Sequence, residues 1–230
     1  MRFHRNISRA VRLSFLTLLV TTFGCASSPI PRSPHASLLQ CQPAAHLDNV
    51  HVIFVESPAD LGHWGRFDDV CYSMQQLGLN HTVFFKPRVN GHSCDLAEYV
   101  RNVRWQNPNS RVMLVGWSMG SLYIRKTLKL LDQTGDRVDT VVYLDSVFLT
   151  YADSRGHPAN ADRVLLIYRS HKVPPQCIPN SEVQYIDCQY HLPVAHCPAT
   201  IDSLVQEALA LSTAAPPTDR LSSSPTSPTE

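Results

Sequence analysis

The sequence predicts an α/β protein: a three-layer α/β/α sandwich around a mostly parallel sheet of about six strands. Three observations lead there. Short runs of Val, Ile and Leu lack polar alternation, as expected of strands covered on both faces. These runs alternate with stretches of helical periodicity, which implies parallel strands joined by right-handed crossovers. One run leads through Gly116-Trp117-Ser118-Met119-Gly120 into a further helical stretch. That strand, turn and helix context makes a G-x-S-x-G pattern informative.

Taken in order, Val50 to Val55 is the first strand. Arg66 to Leu77 is a helix, because Phe67, Val70, Met74 and Leu77 recur at helical spacing. His81 to Phe85 is a strand, ended by Lys86 and Pro87. Asp95 to Trp105 is a helix and Arg111 to Val115 the strand before the serine. Ser121 to Leu131 is the helix after it, stopped near Gly135. Val138 to Leu144 is a strand ending at Asp145, Arg163 to Tyr168 another, and Val183 to Ile186 a short last one. Thr200 to Leu211 closes as a helix, with Ile201, Leu204, Val205, Ala208 and Leu211 on one face. Together they make one domain, residues 47–212.

The ends read differently. The chain has 230 residues, and four of its arginines (Arg2, Arg5, Arg9, Arg12) fall in the first twelve with no acid among them. Leu13 to Val20 is apolar but short for a membrane span. Residues 1–25 are therefore expected to be a targeting segment of an exported protein. Gly24 before Cys25 at its end resembles a bacterial lipoprotein signal, although Thr22 stands where such signals usually carry Leu. The resemblance implies lipidation of Cys25 and anchorage in a bacterial cell envelope. An ordinary signal, giving a secreted or periplasmic protein, is the other reading. Residues 26–46 read as a linker and the Ser/Thr/Pro-rich residues 213–230 as a disordered tail.

Formal charge is +1; without the four early arginines, 16 basic residues face 19 acidic ones. No basic stripe remains, which argues against a nucleic-acid partner. Six cysteines follow Cys25: Cys41, Cys71, Cys94, Cys177, Cys188 and Cys197. An even count in an exported chain permits disulfides, and buried free thiols are the other possibility.

Glycines at 116 and 120 leave room for a turn too tight for side chains, which pushes the Ser118 hydroxyl out of the sheet. The following helix aims its first N–H groups at the place where an oxyanion would form. With the strand and helix alternation from Val50 to Leu211, this elbow resembles the α/β-hydrolase superfamily. The chain looks like a minimal, lidless form, since early antiparallel strands are missing and only Ser146 to Asp162 separates two strands where many members insert a cap.

The resemblance implies a triad in the order serine, acid, histidine. Many members carry the acid after the strand matching Val164 to Tyr168, but here Arg169-Ser170-His171-Lys172 follows. The preceding strand ends in Asp145, as in some lipases of this fold, and Asp145 is the expected acid. Asp187 and Glu56 stand behind it. His191 and His196 both follow the last strand; His191 is the expected base and His196 the alternative. The oxyanion hole would take the N–H of Met119. Its second donor should come from the loop after the first strand, where Glu56-Ser57-Pro58 replaces the usual His-Gly. Pro58 has no N–H, so Ser57, or else Ala59, is expected to donate.

The function these residues imply is hydrolysis of a carboxylic ester or thioester through an acyl-enzyme, on a small-molecule or lipid substrate and without a cofactor. The alternative is a catalytically inactive hydrolase-fold lipoprotein that binds or scaffolds. A zinc site of Cys188, His191, His196 and Cys197 is disfavoured, because one short loop rarely wraps all four ligands.

Overall fold

The computed structural model describes residues 30, 32–60, 62–87, 92–151 and 156–214. The chain divides into two units, Met1–Ile30 and Pro31–Glu230. The targeting segment with Cys25 and the tail from residue 215 lie outside the described residues. Among the described residues, no helix is long and apolar enough to cross a membrane.

The second unit is built on six strands: β1 (Val50–Val55), β2 (His81–Phe85), β3 (Arg111–Trp117), β4 (Val138–Leu144), β5 (Ala161–Arg169) and β6 (Ser181–Ile186). Their order across the sheet is β2-β1-β3-β4-β5-β6, and every neighbouring pair is parallel. All residues of β3 and β4 are buried, the apolar ones as expected of central strands and the charged Arg111 and Asp139 paired with each other at 2.9 Å.

Helices cover both faces. Helix α3 (Phe67–Gln76) follows β1, α4 (Ser93–Gln106) follows β2, α5 (Gly120–Asp132) follows β3, and α7 (Pro198–Thr213) closes the chain. Helices α4 and α5 pack together over one face, where Leu96, Val100, Ile124 and Leu128 meet Ile53, Leu114, Val141 and Leu166. On the other, Phe67 of α3 meets the Phe54 ring edge-on at 5.2 Å, and α7 lies against β1 and β3. Alternate residues of the inner strands β1, β3, β4 and β5 thus feed two apolar layers, while the edge strand β6 is largely exposed. Burying one large apolar side chain stabilises by about 1.5–3 kcal/mol.

Three of these four helices extend one or two residues past their expected bounds, and α3 stops one residue short at each end. Helix α4 begins at Ser93 rather than Asp95, because Asp95 is its third residue and closes a capping box with His92. A larger difference concerns residues 32–46, expected to be a linker. They carry two short helices, α1 (Ala36–Gln40) and α2 (Ala44–Leu47), with Leu39 and Leu47 buried. Ser33 Oγ donates to Asp202 Oδ1 of α7 at 2.6 Å, and His35 Nδ1 meets the same oxygen at 2.8 Å. Two isolated leucines and a polar clasp suffice to dock the segment, and neither has periodicity to betray it. The short helix α6 (Val147–Tyr151) follows β4.

The sheet order reverses between β1 and β3: the crossover from β1 leads outward to β2, and the crossovers after β3 lead the other way. Loops leaving the carboxyl ends of β1 and β3 therefore diverge and open a crevice, the usual ligand position in open parallel sheets. Ser118 lies at the carboxyl end of β3, on that crevice.

Candidate active site

Ser118 occupies the elbow between β3 and α5 with a φ of 53°, a left-handed conformation for a non-glycine residue. Neighbours hold it there. Its N–H donates to Leu144 O at 3.1 Å, and its carbonyl accepts from Ser146 Oγ at 2.9 Å. The Ser146 carbonyl in turn accepts from the Tyr168 hydroxyl at 2.9 Å. Both glycines of the motif are required by space. A Cβ on Gly116 would meet Ile124 Cδ1 at 2.7 Å and the Ser121 backbone at 3.0 Å; on Gly120 it would meet Val55 O at 2.2 Å.

The contact at Gly120 brings the loop after β1 against the first turn of α5. Within that loop the Glu56 N–H donates to Phe85 O, the Ala59 N–H to Ser57 Oγ at 3.3 Å and the Asp60 N–H to Ser57 O at 2.9 Å. Pro58 has no N–H. Among the described hydrogen bonds, Ser57 N–H is the one amide of residues 56–60 with no acceptor and a proton to give. The Asp60 carboxylate then ties the loop down, accepting from Trp64 N and Gly65 N at 2.8 Å each.

Asp145, fully buried, terminates β4 at a φ of 43°. Its Oδ2 accepts from His191 Nδ1 at 2.6 Å and from Arg169 Nε at 2.7 Å, while Oδ1 is buried without a partner. Burial by itself would raise the Asp145 carboxyl; the hydrogen bond from His191 and the Arg169 charge outweigh it and hold the group below its ordinary value. The carboxylate is thus ionised and can only accept. The proton in its bond to His191 therefore rides on Nδ1, and the neutral imidazole carries its lone pair on Nε2. None of the hydrogen bonds among the described residues uses His191 Nε2 or Ser118 Oγ.

His191 also stacks on Trp117, the residue before the serine, at 5.1 Å between ring centres and 24° between planes. Gly65 lies against the same indole, since a Cβ there would be 2.7 Å from the ring. Trp117 is the floor that joins the β1 loop, the elbow and the histidine.

Of the expected site residues, the structure brings Ser118, Met119, Asp145 and His191 to the carboxyl ends of β3 and β4, with Ser57 packed in from β1. His196 ends a 3-10 turn (Leu192–His196), and its ring hydrogen-bonds the backbone of Gly65, with Nδ1 buried and unpartnered. Burial pushes its pKa down. Glu56 faces His63 at 3.7 Å, and burial raises its carboxyl against the opposing charge of Lys86. Asp187 is exposed. No hydrogen bond or ion pair among the described residues joins either acid to His191.

The described cysteines are free thiols. Cys188 and Cys197 bracket His191; burial raises the Cys188 thiol, and the adjoining Cys197 thiol adds to the rise. Among the described residues no group of three or more metal-ligating side chains converges. With His191 Nδ1 held by Asp145 and His196 turned to Gly65, the four zinc candidates do not face a common centre.

Sequence reasoning assigned nothing to Arg169 or Trp117. Arg169 stands where the resemblance led to a search for an acid, and a basic residue closing an apolar strand was its one signal. Trp117 is the second residue of the motif, and a large aromatic beside Ser118 is the one signal the sequence carries for it.

The parallel sheet, its reversal between β1 and β3 and the serine elbow at the end of β3 together form an α/β core of the kind that the α/β-hydrolase resemblance implies. The chain is similar in structure to the NocB thioesterase domain from the nocardicin cluster, at 16% identity and a TM-score of 0.46, over 73% of this chain and 96% of that one. The same domain in covalent complex with a fluorophosphonate nocardicin G analogue gives 17%, 0.47, 71% and 97%. A protein described as a predicted CIB-like hydrolase from Thermoplasma acidophilum gives 15%, 0.43, 71% and 86%. No protein-family model and no curated protein matches the sequence.

Proposed function

We propose that this protein is a serine hydrolase that cleaves a carboxylic ester or thioester through an acyl-enzyme. The observation that carries the reading is the 2.6 Å bond from His191 Nδ1 to the buried Asp145 carboxylate, beside an elbow that presents Ser118. His191 Nε2 takes the Ser118 proton as Oγ attacks the substrate carbonyl, and returns it to the leaving alcohol or thiol. Water then attacks the acyl-enzyme by the same path in reverse. Asp145 holds the imidazole tautomer and stabilises the imidazolium. The N–H groups of Met119 and Ser57 hold the oxyanion.

Exposed apolar side chains surround these residues in sequence: Tyr190 and Leu192 flank His191, and Phe148 follows Asp145 by three positions. Export and a lipid anchor on Cys25 complete the reading, and intact mass of protein from the membrane fraction tests the anchor.

The decisive experiment is labelling with a fluorophosphonate probe alongside an ester panel of increasing chain length. Wild type labels and turns over; Ser118→Ala does neither, losing roughly 10⁶-fold in kcat while folding normally. The second reading, an inactive binding lipoprotein, is favoured by Pro58 in the oxyanion loop. Folded wild-type protein that resists the probe would establish it.

A further inference from the structure

Asp145 has two partners on one oxygen, and the second is unused by the mechanism above. Arg169 is the last residue of β5 and is buried. Its Nε donates to Asp145 Oδ2 at 2.7 Å, the atom that also receives His191 Nδ1. Its Nη1 donates to the Gln189 carbonyl at 3.2 Å, two residues before His191. One planar guanidinium thus spans the acid and the loop that carries the base.

We propose that Arg169 is a positioning residue for the hydrolytic site: it fixes the Asp145 carboxylate and the His191 loop in one frame, so that the imidazole meets Ser118 at a constant angle. This rests on the triad reading given under Proposed function. Three features of the chain support it. Asp145 is wholly buried at a strained φ, and its Oδ1 has no partner. Oδ2 alone therefore anchors the carboxylate, and a single bond from His191 would leave it free to pivot. The buried carboxylate needs a counter-charge while His191 is neutral, and Arg169 is its ion-pair partner in that state. The segment from Asp187 to Tyr190 has no strand or helix to fix it, so the Gln189 carbonyl is a point where it can be held.

The rigid fork matters. A lysine ammonium in the same place carries the charge, but a compact point donor cannot hold Oδ2 and the Gln189 carbonyl at the angle a guanidinium imposes. The frame should therefore depend on shape as well as charge.

The test compares Arg169→Gln and Arg169→Lys in the full folded chain by three measurements. These are steady-state kinetics on p-nitrophenyl butyrate, the rate of fluorophosphonate labelling, and the low-field proton resonance of His191 Nδ1–H. The Gln variant should lose up to about a hundredfold in kcat with KM within about twofold. Labelling should slow in parallel, and the low-field resonance should shift or broaden. The Lys variant should recover part of kcat and part of the resonance; if Gln does not fold, Lys carries the test against wild type. Wild-type kcat and an unmoved resonance in a folded Arg169 variant overturn the proposal. Equal losses in Lys and Gln also overturn it, by showing a merely structural role. Should wild type itself not hydrolyse or label, the resonance still reads whether Arg169 orders the Asp145–His191 pair, so failure of the hydrolase reading is seen separately.

Discussion

Gly120→Ala tests whether the loop after β1 and the first turn of α5 form one catalytic unit. The new methyl carbon would stand 2.2 Å from the Val55 carbonyl oxygen and 3.0 Å from that of Glu56. A carbon–oxygen contact relaxes at roughly 3.3 Å, so helix and loop must part by about 1 Å. The obstruction is backbone on both sides, and no rotamer relieves it. The two proposed oxyanion donors, Met119 N–H and Ser57 N–H, sit on the two parts being separated. A displacement of about 1 Å at a reacting centre costs about 10²-fold, and loss of one oxyanion donor costs about 10²–10³. We expect kcat/KM for p-nitrophenyl acetate to fall about 10²-fold. Overpacking of about 1–3 kcal/mol should lower Tm by several degrees, measured by circular dichroism. Gly116→Ala is the comparison: its tightest contact is the mobile Ile124 Cδ1 at 2.7 Å, with Ser121 backbone at 3.0 Å. It should cost stability with a smaller loss of rate. A folded Gly120→Ala enzyme with wild-type kcat/KM refutes the shared-unit argument.

Asp145→Asn should lower kcat by about 10³–10⁴ with the protein folded, because the amide can no longer hold the imidazole tautomer; an active variant would move the acid elsewhere. His191→Ala should lose both turnover and probe labelling. His196→Ala should keep activity within a few-fold and lose about 1 kcal/mol in urea unfolding through its bond to Gly65; the reverse pattern would exchange the two roles. Burial pushes His157 down to about 4, its Nε2 facing the Tyr143 hydroxyl at 2.9 Å and Nδ1 the Pro158 carbonyl at 2.8 Å. His51 lies near 4 as well, through burial and the His81 charge. The unfolded state takes up these protons first, so the stability is complete above about pH 6.5 and is lost as pH falls toward the folded values. For His157 alone the loss reaches about 2 kcal/mol by pH 5. Urea midpoints that stay constant from pH 7.5 to 5 would contradict it.

Much of the fold was legible because two periodicities do different jobs. Apolar runs such as Val141 to Leu144 fit strands buried on both faces, and Phe67, Val70 and Met74 mark one face of a helix. What escaped was held by polar contacts across long sequence separation. Ser33 and His35 reach Asp202 in the last helix, and no local pattern announces that. The candidate site divides the same way. Ser118 was visible because its neighbours are constrained locally: two glycines, a strand and a helix. Chain order pointed to Asp145 as the acid and left two histidines, His191 ahead of His196, as the base. The bond between Asp145 and His191 spans 46 residues and depends on the alignment of strand ends, with no local pattern to announce it.

Strand ends also account for the unusual position of the proposed acid. Adjacent parallel strands lie about 4.8 Å apart, so the carboxyl ends of β4 and β5 are both within reach of an imidazole in the loop after β6. An acid on either end can serve one histidine. Here β4 supplies Asp145, and the β5 end bears a cation. A second carboxylate at that end would have repelled the first and raised its pKa, whereas Arg169 lowers it. The absence of an acid after Tyr168 is therefore no gap in the site: the two strand ends carry complementary charges, and the choice of one constrains the other. Exchanging them tests this. The double variant Asp145→Asn with Arg169→Asp moves the carboxylate one strand along and should recover part of the rate lost in Asp145→Asn alone. No recovery, in protein that folds, would mean that His191 can use only the β4 end.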